Sequence, residues 1–168
     1  MEGIGFVGGQ VHPRSLLTGK FKLQSRAGLL QLTAGGSGGG AAFSTDGGRT
    51  FQKAKHGLAK NYGIVCGADA VDPQTWYVCV APSPFNAFGS DPEIYLYRSR
   101  NGGDWQAIGW QDHPMSMPPT ALVAEPGVPG SLYAGLRNGD VMHSADYGDT
   151  WQQLPFNLHG IWFSLLVT

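Results

Sequence analysis

Short apolar runs separated by clusters of Gly, Pro, Asn and Asp follow one another along this chain. Runs of this length, rich in β-branched and aromatic residues and bounded by turn formers, predict strands. They fall at 28–34 (GLLQLTA), 41–43 and 51–52, then at 64–71 (IVCGADAV), 76–81 (WYVCVA), 93–98 (EIYLYR) and 105–108. A further set follows at 120–125 (TALVAE), 131–136 (SLYAGL), 141–143, 151–154 and 161–168 (IWFSLLVT). Residues 2–12 read as a short edge strand, and the basic stretch 13–27 as a solvated face or loop. Asn138-Gly139 is a strong hairpin signal. At 72–75 (DPQT) the proline presets φ for a tight turn. If 72 and 75 face each other, Cys66 lies opposite Ala81 and Cys79 opposite Ala68, with both thiols on one face of the sheet.

One polar signature recurs between these strands. Ser144, Asp146, Gly148, Thr150 and Trp151 have the form S-x-D-x-G-x-T-W, and Ser44, Asp46, Gly48, Thr50 and Phe51 repeat it with Phe for Trp. Ser99, Asn101, Gly103 and Trp105 read as a worn copy without the Thr. Such residues form a self-contained turn: Gly accepts positive φ, Asp bonds the backbone of its own turn, and the aromatic anchors the next strand. The three serines are spaced by 55 and 45 residues, close to the 40–50 residues of a four-stranded propeller repeat. The longer interval contains the Pro-rich insertion 82–92.

These residues resemble the Asp-box, or BNR repeat, of sialidases, xyloglucanases, sortilin-type receptors and photosystem II assembly factors. The resemblance implies an all-β fold, a partial β-propeller of about three four-stranded antiparallel blades with an Asp-box turn between the third and fourth strands of each. The chain then reads as a single domain, 1–168, with approximate units 1–60, 61–112 and 113–160, and with 161–168 as the first strand of a further blade. The strand runs complete two of these units and only part of the first. Closed propellers have 4–8 blades, so the expectation is either a piece of a larger ring or self-association of two chains to complete one.

Composition narrows the classes. The 168 residues carry a net charge of −1, which gives no electrostatic attraction to nucleic acid or an anionic membrane surface. No apolar run approaches the ~20 residues of a membrane span. The N-terminus lacks the basic and apolar regions of a signal peptide. A cytoplasmic location follows, or an extracellular one if an N-terminal stretch is missing. Two cysteines do not make a disulfide framework.

Candidate chemistry is sparse. Gly3-Ile4-Gly5-Phe6-Val7-Gly8 matches G-x-G-x-x-G but lacks the flanking strand and helix that dinucleotide binding requires. The glycine-rich 35–40 lacks the Gly-Lys-Ser/Thr ending of a phosphate loop. No cofactor is expected, and no His/Cys cluster has metal-ligand spacing. Sialidase chemistry implies three arginines gripping a carboxylate, a Tyr nucleophile with its Glu, and an Asp acid/base, and no such set can be assigned here. Asp69 and Glu125, on first strands of successive units, are the one carboxylate pair to nominate for glycoside hydrolysis. The alternative is that neighbouring backbone or a solvated channel satisfies them. Phe85 and Phe88 in the insertion, and Trp110 and His113 in the connector 109–119, mark candidate binding loops. The favoured function is a non-enzymatic propeller binding or scaffold module for a protein or glycan ligand. The alternatives are a fragment of a sialidase-like or other glycoside hydrolase-like propeller, and a remnant without function.

Overall fold

A computed structural model of the chain describes residues 20–25, 28–33, 40–44, 49–50, 52–54, 56–58, 60, 62–72, 74–100, 102–109, 115 and 117–161, with side chains from residue 41 onward, Ser44 excepted. Its elements form three four-stranded antiparallel sheets in chain order. The first contains β1 (Lys20–Ser25), β2 (Gly28–Thr33), β3 (Gly40–Ser44) and β4 (Gln52–Lys53). The second contains β5 (Tyr62–Ala68), β6 (Thr75–Ala81), β7 (Tyr95–Arg100) and β8 (Trp105–Ile108). The third contains β9 (Pro119–Ala124), β10 (Leu132–Leu136), β11 (Asp140–Ser144) and β12 (Gln152–Asn157). Within each sheet every strand pairs with its neighbour in sequence, so each is a meander. The first strands also lie side by side across the sheets, β5 against both β1 and β9.

The sheets pack face to face through side chains that alternate along each strand. On β6, Trp76, Val78 and Val80 point toward the first sheet and meet Ala41, Tyr97 and Trp105. Tyr77, Cys79 and Ala81 point the other way and meet Leu96, Ile108, Leu122, Leu132 and Ala134. The far face of the third sheet buries Ala121 and Val141 against Ile161. Gly135 makes room for that residue, because a Cβ there would lie 2.8 Å from the Ile161 side chain.

Three expectations change. Residues 20–25 form a full strand (β1) rather than a solvated loop, so the first sheet has four strands and is not partial. Phe21 and Leu23 alternate there with Lys20, Lys22 and Gln24, which is the period of a strand with one polar face. The insertion contains a short helix, α1 (Pro84–Phe88), where prolines suggested irregular chain. Pro84 opens it at a position where the missing N–H costs nothing, and the Ser83 hydroxyl accepts from the Asn86 N–H at 3.2 Å. The β5–β6 register also differs. Cys79 pairs with Val65 and Cys66 with Val78, so the two thiols lie on opposite faces. Both are free, and burial pushes the Cys66 thiol up to about 12. The dinucleotide-like motif, the glycine-rich 35–40 apart from Gly40, and the strand expected over 161–168 apart from Ile161 lie outside the described residues.

Leu132 is fully buried between the second and third sheets, whereas Val128 stands in an exposed turn. Leu132→Ala is expected to cost about 2–5 kcal/mol, and Val128→Ala to stay within about 0.5 kcal/mol of the parent. Urea midpoints at unchanged m-value measure both.

Candidate functional site

Strand direction divides the loops between two ends of the sheets. One end carries the turns β5–β6, β7–β8, β9–β10 and β11–β12, and with them the serine-aspartate signatures. The other carries α1, the β10–β11 hairpin and the connectors between sheets.

At the first end, the third signature turns β11 into β12. The Ser144 hydroxyl accepts from the Gly148 N–H at 2.9 Å and donates to Asp146 Oδ1 at 2.8 Å. Asp146 accepts from the Thr150 N–H at 2.8 Å and from the Thr150 hydroxyl at 2.6 Å. The Trp151 indole N–H donates to the Gly148 carbonyl at 2.9 Å. Burial raises the Asp146 carboxyl, but the Thr150 and Ser144 hydrogen bonds together outweigh it and hold the carboxyl below its usual range. Gly148, at φ 89°, packs under the preceding sheet, where a Cβ would meet Ile108 at 2.8 Å.

The worn copy differs in a way the sequence alignment missed. Gly103 is exposed, and a Cβ there would meet only the Arg100 carbonyl of its own turn, at 3.6 Å, so it does not take the structural place of Gly148. Gly102 does: at φ 69° it lies against the preceding sheet, 2.6 Å from Phe43 to an added Cβ. This loop is one residue shorter, so the copies align from the aromatic backward, not from Ser99 forward. Trp105 is buried, but its indole N–H has no partner among the described residues. Ser99 is buried on the same strand end. Of the first copy, Thr50 is exposed and Ser44 ends β3, while Asp46, Gly48 and Phe51 lie outside the described residues, as does Asn101.

Asp69 and Glu125 sit just beyond the ends of β5 and β9, in the turns at this same end. Asp69 is 4% exposed. Its Oδ1 accepts from the Val71 and Asp72 N–H groups at 2.9 and 2.6 Å, and its Oδ2 from the Gly130 N–H at 2.7 Å. The carboxylate is thus engaged by three backbone donors and ties the second sheet to the third. Glu125 Oε2 accepts from the Ser131 hydroxyl at 2.6 Å and from the Tyr133 hydroxyl at 3.3 Å. His143 Nε2 lies 3.0 Å from the same Ser131 oxygen, with its ring 4.6 Å from that of Tyr133. Ser131 gives its proton to Glu125, so His143 can only donate to it. This order of partners does not make Ser131 a nucleophile activated by histidine.

At the opposite end, α1 and the β10–β11 hairpin frame a cleft of about 310 Å³. Phe88, Pro92, Met117, Arg137 and Asn138 are among its walls. The Arg137 guanidinium lies over the Phe88 ring at 5.7 Å, and Tyr62 meets that ring edge-on at 6.4 Å. Phe88 is 44% exposed and Phe85, one helical turn away, 87%. Beside them, Lys60 pairs with Glu93 at 3.5 Å and Tyr95 donates to the same carboxylate at 2.6 Å. The Tyr95 hydroxyl and Lys60 hold the Glu93 carboxyl below its usual range. Trp110 and His113 lie outside the described residues. The cleft offers an aromatic face, a guanidinium and an amide, with no carboxylate among its described lining residues. Phe85 and Phe88 were legible in the sequence, but Arg137 and Asn138 read only as parts of a hairpin.

No family model and no curated protein matches the chain. Among solved structures, it is similar to a GH74 enzyme of Niastella koreensis, with 19% identity and a TM-score of 0.55 over 76% of this chain and 20% of that one. It is also similar to the GH74 xyloglucanase of Xanthomonas campestris, with 18% identity and a TM-score of 0.51 over 76% of this chain and 19% of that one. The chain therefore spans about one fifth of the length of these structures. At this identity the likeness is one of fold, a propeller-like succession of four-stranded antiparallel sheets.

Two substitutions probe the turn carboxylates. Asp69→Asn leaves a buried donor facing an amide N–H₂ and is expected to cost about 1–3 kcal/mol in chemical denaturation. For Asp146, a carboxyl held low in the folded state stabilises above its unfolded pKa of about 3.9 and loses that contribution as pH falls through the folded value. Asp146→Asn should therefore lower the melting midpoint at pH 7, with a deficit that narrows below about pH 4.

Proposed function

We propose that the chain is part of a glycoside hydrolase-type β-propeller of the Asp-box kind, and that the end carrying α1 is its glycan-facing surface. The observation that carries this reading is the likeness of fold to two GH74 enzymes, one of them a xyloglucanase. The cleft at that end supports it. Exposed aromatic rings stack on the C–H faces of pyranose rings, Arg137 supplies donors for hydroxyls, and the Asn138 amide, bonded to Asp140 through one hydrogen and through its oxygen, keeps one donor and one lone pair. Phe88 is held between Arg137 and Tyr62, so its orientation is set before a ligand arrives.

A second reading, glycan binding without hydrolysis by this part of the ring, is favoured by one observation. Hydrolysis needs two carboxylates flanking a glycosidic bond. The two nominated carboxylates lie at the other end, where Asp69 is occupied by backbone donors and Glu125 by two hydroxyls. In this reading the α1 end supplies affinity, and acid–base chemistry belongs to other parts of a longer protein.

Soluble xyloglucan titrated into the 168-residue chain by calorimetry, with reducing-end release measured in parallel, tests both readings. Saturable binding weakened about tenfold by Phe88→Ala is the expected result, corresponding to about 1.4 kcal/mol. Sugar release by the chain alone favours the hydrolytic reading over the binding one. Absence of saturable binding overturns the glycan-facing assignment.

A further inference from the structure

A second cleft, of about 460 Å³, lies at the opposite end of the molecule, in the seam between the second and third sheets. It is independent of the α1 surface and shares no lining residue with it. We infer that this seam cleft is a second ligand site, and that its ligand is a neutral, hydroxyl-rich molecule such as a short uncharged saccharide.

The cleft is built rather than incidental. Its Tyr147 wall is held by a chain of contacts through one glycine. The Gly130 N–H donates to Asp69, and the Gly130 carbonyl accepts from the Tyr147 N–H at 2.9 Å. The Tyr147 ring lies over Gly130 so closely that a Cβ there would be 2.7 Å from it. The Tyr147 carbonyl accepts from Arg98 at 2.9 Å, and Arg98 is also paired with Asp149 at 3.1 Å. These contacts hold Tyr147 at φ 61°, a region costly for a residue with a Cβ. Backbone strain that the surroundings over-determine is characteristic of ligand sites.

A second observation is independent of this geometry. The Tyr77 hydroxyl is fully buried and has no hydrogen-bond partner among the described residues. Tyr77 is the cross-strand neighbour of Arg98, on the same face as Thr75, and both of those residues line the cleft. Burial raises the Tyr77 hydroxyl well above its usual range, and the Asp69 carboxylate adds to the effect. A buried polar group without a partner is uncommon and calls for an explanation such as a bound water, ion or ligand.

Charge selects the class of ligand. Arg98 and Arg100 are matched in number by Asp104 and Asp149. An anion gains from two guanidiniums but is repelled by two carboxylates, and a cation meets the reverse. A molecule with adjacent hydroxyls uses both, accepting from arginine and the Gln106 amide while donating to aspartate. The Tyr147 ring adds an apolar face. The volume lies in the range of small-ligand clefts, about 300–1,000 Å³.

Cellotetraose titrated into ¹⁵N-labelled full chain, followed by amide shift mapping, tests the site. The expected result is saturable shifts at Arg98, Arg100, Gln106 and Tyr147. They should persist in Phe88→Ala and weaken at least fivefold in Arg100→Ala/Gln106→Ala, whose two side chains are exposed and whose fold is checked by an unchanged melting midpoint. Shifts confined to the α1 end, or absent altogether, overturn the inference. So do seam shifts that the double variant leaves unchanged, or stronger seam binding by cellotetraose carrying a terminal carboxylate. Loss of shifts at the α1 end alone bears on the proposed glycan surface and leaves the seam site standing.

Discussion

Everything in this structure depends on burying β6 on both of its faces. All seven residues of the strand are buried. Because side chains alternate, one strand contributes to two separate cores, one with each flanking sheet. A four-stranded sheet alone has no such strand, since at least one face would meet water. The second sheet is therefore stable only as the middle of a stack, and its neighbours are fixed by what β6 presents to them: an indole and two valines on one side, a phenol, a thiol and a methyl on the other. The two signature turns whose glycines are described each add a glycine at the seam with the preceding sheet, Gly102 under Phe43 and Gly148 under Ile108. The repeat thus specifies the contact between sheets as well as the hairpin.

Much of this was legible in the sequence because strand and turn signals are local. Eleven of the twelve strands coincide with apolar runs or their flanks, and Gly139 at φ 95° follows from the Asn-Gly pair. The failures share a cause, namely side chains acting on backbone at a distance of several residues. Asp69 captures the N–H groups of Val71 and Asp72, so the tight turn at 72–75, closed by the Thr75 N–H to the Asp72 carbonyl at 3.0 Å, sits at the tip of a longer loop and the β5–β6 register shifts. Ser83 and Pro84 together start a helix in a segment that composition marks as irregular. Lysines 20 and 22 drew attention as charge when their spacing carried the information.

The candidate sites were less legible. Phe85 and Phe88 stand out in sequence because apolar residues in an insertion are unusual. Arg137 lies 49 residues away from Phe88, and only the stacking of the third sheet on the second brings it over that ring. The seam cleft is the extreme case. Its walls come from β6, β7, β8 and the β11–β12 turn, and Gly130, against which the Tyr147 ring packs, looks like an ordinary turn glycine. Conversely, the carboxylates that drew most interest as chemistry are structural fasteners. An aspartate in a turn of β-sheet is a strong acceptor among many backbone donors, and that environment takes up its lone pairs before any substrate can.

The two-faced burial of β6 also gives the molecule a pair of adjacent optical reporters. Trp76 and Tyr77 are neighbours in sequence, yet the indole faces the first sheet and the phenol the third. Separation of the first sheet from the second would wet the indole and leave the phenol dry, and separation of the third would do the reverse. Emission from Trp76 and ultraviolet absorption from Tyr77 therefore distinguish which seam opens first when the stack comes apart.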